Sequence, residues 1–134
     1  MHSIEIESQL KNLTQVESLI DQVCEDLRVS EDSYGNILIA VTEAVNNAIV
    51  HGNQNQPTKK VKVDVVKIDT GVIFMVMDEG KGFDFNNLPD PTAPENIERP
   101  DGRGIFLMKN LSDEVVFDLN GSKVNITFVA DHGN

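Results

Sequence analysis

Residues 2–8 alternate apolar and polar side chains, with Ile4 and Ile6 on one side, and predict a short first strand. Thr14 followed by Glu17 reads as a capping box that opens an amphipathic helix running to about residue 29. Ser30 with the acidic pair Glu31 and Asp32 suits the start of a second helix. In it Ile37, Val41, Ala44, Val45, Ala48 and Ile49 recur at three- and four-residue spacing, the signature of a helix packed on a core. Gly52 is placed to close that helix as the glycine just past its last turn. A polar turn follows over 53–58. Val61, Val63 and Val65 then alternate with Lys62 and Asp64, a strand over 60–68 that faces a core on one side. Asp69, Thr70 and Gly71 predict a hairpin turn, and the more continuously apolar 72–77 reads as a central strand.

Residues 84–100 break the pattern. Pro89, Pro91, Pro94 and Pro100 fall there and exclude regular structure through most of the stretch, so inside a compact domain it reads as a functional lid or a disordered segment. Regularity returns with a short helix over 103–111, a strand over 114–119, a turn at Asn120 and Gly121, and a last strand over 123–130. The order β-α-α-β-β-lid-α-β-β predicts an α+β fold: a mixed, mostly antiparallel sheet covered on one face by helices. With 134 residues and no internal repeat, 1–134 reads as a single domain.

Charge narrows the function. Twenty-two acidic against eleven basic residues leave a formal net charge of −11, and Lys59, Lys60 and Lys62 form only a short basic spot. Such a surface repels nucleic acid and anionic lipid, so no direct nucleic acid or membrane partner is expected. A negative protein that binds a nucleotide needs a metal ion and local basic groups to do so. No run of about 18 apolar residues occurs, and the N-terminus lacks the basic and apolar regions of a signal peptide, so a cytoplasmic address is expected. Cys24 sits in an apolar helical pattern and reads as a buried small hydrophobe.

Three segments carry chemistry. Glu43, Asn47 and His51 follow one another at i, i+4 and i+8 and rise along one stripe of the second helix. An acid that can take a proton beside an amide oxygen that can hold a hard cation fits phosphoryl transfer, while a helix with a partly exposed polar edge fits the same residues. Asp78, Gly80 and Gly82 follow the apolar strand. An Asp there can accept from a ligand's exocyclic amine, and the glycines let backbone come close; a plain tight turn has the same composition. Gly102, Arg103 and Gly104 stand before a helix, where free N–H groups and the positive dipole end suit phosphate, and a flexible hinge is the alternative.

Taken together, these segments resemble the GHKL ATPases, the superfamily of gyrase B, MutL and the histidine kinase catalytic domains. Residues 43–52 match its N box, 78–83 its first glycine box and 102–104 its second. Within the superfamily the chain is most similar to the stand-alone anti-sigma factor serine/threonine-protein kinases of the RsbW and SpoIIAB type. The likeness extends over nearly the whole chain, including the segment from Gly104 through Val115.

The resemblance implies a two-layer α/β sandwich, the Bergerat ATP-binding fold, with ATP and Mg²⁺ as ligands and 84–101 as the ATP lid. It makes Glu43 the general base and Asn47 the residue that holds Mg²⁺. Asp78 reads adenine, with Gly80 and Gly82 shaping the base pocket; Phe83 is an ATP-binding residue where the lid begins, and Gly102 and Gly104 lie around the phosphates. His51 stands at the rim, with a capping role and a ligand contact both open. The family's lid cation near the γ-phosphate has two candidates here, Arg99 and Arg103. Where the family's last strand carries a Gly-Thr-Thr-like segment, this chain has Gly121, Ser122 and Lys123, and no contact is carried over to them. The implied function is a protein kinase that sequesters a sigma factor or other regulatory protein and phosphorylates an anti-sigma factor antagonist. The alternative is a nucleotide-dependent partner-switch module without kinase activity. The resemblance also implies homodimer formation through a sheet edge or the N-terminal region.

Overall fold

The computed structural model describes residues 2–80 and 100–129. Eight main elements follow in order: β1 (His2–Glu7), α1 (Leu13–Asp26), α2 (Glu31–Asn47), β2 (Lys60–Ile68), β3 (Gly71–Met77), α3 (Pro100–Leu111), β4 (Glu114–Asp118) and β5 (Lys123–Val129). The strands form one sheet in the order β1-β2-β3-β5-β4, and all four pairings are antiparallel. The fold is α+β, as the element order predicts.

Period-two patterning sets which face of the sheet is covered. Val61, Val63 and Val65 of β2, Val72, Phe74 and Val76 of β3, and Val124, Ile126 and Phe128 of β5 are all buried. Register stacks them into cross-strand rows. One row runs Val63, Val76, Val124, Phe117 and the next Val65, Phe74, Ile126, Val115. Phe74 and Phe128 meet edge to face with centroids 6.0 Å apart, a favoured aromatic geometry. Val16, Ile20 and Val23 of α1, Ile37, Val41 and Val45 of α2, and Ile105 and Met108 of α3 close over this face in one continuous core.

Several element ends differ from expectation. A 3-10 turn over Leu10–Asn12 precedes α1, so Thr14 lies inside the helix, where its hydroxyl donates to the Lys11 carbonyl instead of capping. The helix stops at Asp26, earlier than predicted. Arg28 adopts φ 53°, and Arg28 N donates to Glu25 O while Val29 N donates to Cys24 O, a helix-ending motif made without glycine. Ser30 does cap α2, its hydroxyl accepting from Ser33 N at 3.2 Å. The far end of α2 does not close on a left-handed Gly52. It widens into a π-helical turn, Ala48–Gly52, sealed by Asn53 N donating to Ala48 O. Helix α3 starts at Pro100, so Gly102, Arg103 and Gly104 lie in its opening turns and not before it. Most of the expected lid, 84–101, falls outside the described residues.

Candidate functional site

The widened end of α2 lies over one end of the sheet, and a cleft of about 550 Å³, counting the space open to solvent, lies between them. Its floor is a single cross-strand row: Val76, its partner Val124, and Phe117 opposite Val124 on β4. Ala44 from α2, Ala48 from the π-helical turn that extends it, and Ile105 and Met108 from α3 form apolar walls. Asn47, His51, Asp78 and Ser122 supply the polar groups. A mostly apolar cleft with a few convergent polar side chains is the form of a small-molecule site.

Asn47 is the most telling of these. Both its Oδ1 and its Nδ2 are buried and have no hydrogen-bond partner among the described residues. A buried amide without partners is costly, which marks Asn47 as a candidate ligand-binding group. An amide oxygen is a donor atom that Mg²⁺ accepts, particularly where phosphates supply the remaining ligands, so the residues present fit that ion.

Asp78 follows β3 and lines the same cleft. Burial raises its carboxyl above the ordinary range, opposed by the Gly80 N–H that donates to its Oδ1 at 2.7 Å and by the Lys59 charge. The backbone around it is packed so closely that glycine is required. A Cβ on Gly52 would lie inside the Asp78 carboxylate, and a Cβ on Gly80 would lie inside the Gly52 carbonyl. The end of the α2 turn and the Asp78 loop are thereby pressed together. His51, exposed, stands at the rim of the cleft beside Gly52.

Gly104 does the equivalent on the other side. A Cβ there would come 2.6 Å from Asn47 Nδ2 and 3.1 Å from Glu43 Oε2, so the missing side chain lets α3 lie directly on the polar edge of α2. Glu43 is half-buried beside Gly104 and does not line the cleft itself. Arg103 is exposed on α3 and does not line it either, while Gly102 lies in the first turn of that helix. Gly82, Phe83 and Arg99 lie outside the described residues. Asn47, His51 and Asp78 therefore share one cleft, with Glu43 and Gly104 packed behind Asn47.

Gly121 and Ser122, to which the sequence carried no contact over, do line the cleft. Gly121 has φ 96°, a conformation that favours glycine, and Ser122 O accepts from Asp78 N at 2.9 Å. Their signal in sequence was the Asn120–Gly121 turn, which gave a turn but not its neighbour. Asn53, fully buried next to the site, carries in the sequence only the signal of a polar turn.

Comparison with known proteins bears on the family and the fold. The family model of the histidine kinase-like ATPase domain matches residues 6–129. The anti-sigma F factor of Geobacillus kaustophilus is 37% identical over 106 residues, covering 75% of this chain and 70% of that protein. That of Clostridium beijerinckii is 29% identical over 131 residues, covering 92% of this chain and 90% of that protein. Among solved structures, the histidine kinase domain of a blue-light activated histidine kinase from Erythrobacter litoralis superposes with a TM-score of 0.56 at 17% identity, over 85% of this chain and 60% of that one, and so shares its fold. The chain belongs to the family of histidine kinase-like ATPase domains.

Proposed function

We propose that this protein is an ATP- and Mg²⁺-dependent serine/threonine protein kinase of the anti-sigma factor type. It sequesters a sigma factor or similar regulatory protein in the cytoplasm and phosphorylates a small antagonist protein. The observation that carries this is the Asn47 amide, whose two polar atoms are buried with no hydrogen-bond partner among the described residues, between a cleft and the Glu43–Gly104 contact. The names of the relatives, anti-sigma F factors, support the partner class.

In this account the base of ATP enters over the Val76–Val124–Phe117 floor, and Asp78 accepts from its exocyclic amine. The phosphates then extend toward Asn47 and the start of α3, whose dipole favours negative charge. Asn47 would hold Mg²⁺ through Oδ1, and the ion, when bound, neutralises charge on the phosphates. Glu43, one turn before Asn47, takes the proton from the attacking Ser or Thr hydroxyl as that oxygen bonds to the γ-phosphorus and ADP leaves. Most of the rate comes from positioning and electrostatics and little from proton transfer.

Glu43→Gln keeps the shape and removes the base. Incubated with γ-labelled ATP and the antagonist-domain protein from the same genome, that variant should bind nucleotide as the wild type does and transfer no label. Undiminished transfer would contradict the assignment.

A further inference from the structure

Asp78, Glu79 and Gly80 present three successive backbone N–H groups, and each is held by a different anchor. Asp78 N donates to Ser122 O at 2.9 Å, Glu79 N to Asn53 Oδ1 at 2.8 Å, and Gly80 N to the Asp78 carboxylate at 2.7 Å. The middle anchor is the only one made by a side chain from another element. Asn53 is 0% exposed and uses all its side-chain hydrogen-bonding groups. Its Nδ2 donates to Ser8 Oγ at 2.8 Å and to Lys60 O at 2.9 Å. Glu79 N–H can only donate and Lys60 C=O can only accept, so the orientation of the amide is forced. Ser8 Oγ in turn donates to Lys59 O at 2.6 Å, and the Glu79 carboxylate accepts from Lys60 N. One buried amide thus ties the ends of β1 and α2 and the start of β2 to the loop that carries Asp78.

Resting on the nucleotide reading of the cleft, we infer that Asn53 is a positioning residue that sets base selectivity: by fixing the Glu79 amide it holds the Asp78 carboxylate where a purine amine can reach it. Asn53 is not among the residues that line the cleft. It also directly follows Gly52, whose carbonyl and missing side chain press on Gly80 and Asp78. Loss of the Asn53 side chain therefore frees the loop at its middle amide and at the same time loosens the segment against which Asp78 is packed. A fully satisfied buried network specifies one geometry, and removing a member leaves the others unpaired.

The test compares affinity for ATP with affinity for purine riboside triphosphate, which lacks the exocyclic amine. In the wild type ATP should be preferred. In Asn53→Ala the preference should fall about tenfold, the size of a lost hydrogen bond to a charged group. Ser8→Ala, which removes a bond of the same network without touching Glu79, should lower thermal stability and leave the preference unchanged. In an Asp78→Asn background, Asn53→Ala should change the preference no further. Should Asn53→Ala fail to fold, Asn53→Ser, with a hydroxyl and room for a water beside the Glu79 amide, is read the same way. An unchanged preference in a folded Asn53 variant, or an equal change in the Asp78→Asn background, overturns the inference. A wild type that binds neither nucleotide overturns the nucleotide reading itself.

Discussion

Gly104 lies so close to Asn47 that a methyl group in place of its hydrogen would sit 2.6 Å from Asn47 Nδ2. The contact is between the opening turns of α3 and the polar edge of α2, and it fixes what replacing this glycine does. Ala is the better helix former by about 1 kcal/mol, so Gly104→Ala gains intrinsic helix stability. It also drives the Asn47 amide out of place. The predicted outcome is a stability within about 1 kcal/mol of the wild type together with loss of most Mg-ATP affinity. Denaturant unfolding and a nucleotide titration, run on the same sample, check it.

Asn47 itself should cost the ligand-free protein stability, since both of its polar side-chain atoms are buried with no hydrogen-bond partner among the described residues. Asn47→Leu, of similar volume, should leave ligand-free stability equal or higher by about 1–2 kcal/mol. Urea unfolding without nucleotide measures this, and a marked loss of stability would mean that the amide has a structural partner.

Asp78 gives a pH dependence. Burial raises its folded pKa above the ordinary carboxylate value. The stability associated with such a group is fully present below the unfolded pKa and is lost as pH rises through the raised folded value. Asp78→Asn should therefore match or exceed the wild type in stability near neutral pH, and the difference should vanish toward about pH 4. ATP binding by the wild type should weaken as pH falls through the same range, because a protonated Asp78 no longer accepts from the base amine in the same way. Melting curves and binding isotherms across pH test both signs.

Cys24 is buried, and burial, with a smaller contribution from Asp21, pushes its thiol up to about 11. The thiolate is the reactive form, so iodoacetamide should label native protein very slowly and unfolded protein readily. Fast native labelling would contradict the packing of α1.

Much of this fold was legible because its elements are periodic. The Val61–Val63–Val65 alternation and the three- and four-residue spacing in α2 appear in the sheet and helix as read. Element ends were less so. Thr14 looked like a cap because Ser/Thr-x-x-Glu favours that role, but the chain enters α1 through a 3-10 turn three residues earlier. Arg28 ends α1 in a left-handed conformation that no glycine announced. At Gly52 the glycine signal was real but its cause was not backbone conformation; the space of its side chain is taken by Asp78, twenty-six residues away. Of the site, Asn47, His51 and Asp78 were placed by motif, whereas Asn53 was invisible. Its role depends on Ser8, Lys60 and Glu79 converging from three segments, which no local pattern encodes.

In the proposed function, Asn47 and Asp78 face a bound Mg-nucleotide. The most direct measurement is the unfolding free energy of the wild type as Mg-ATP is added, beside the same titration of Asn47→Leu. A ligand that binds only the folded state must stabilise it, by about 2.7 kcal/mol at a hundredfold excess over Kd. That rise is expected for the wild type, and little or none for Asn47→Leu. A wild type whose stability does not respond to Mg-ATP, or a variant that responds equally, would contradict it.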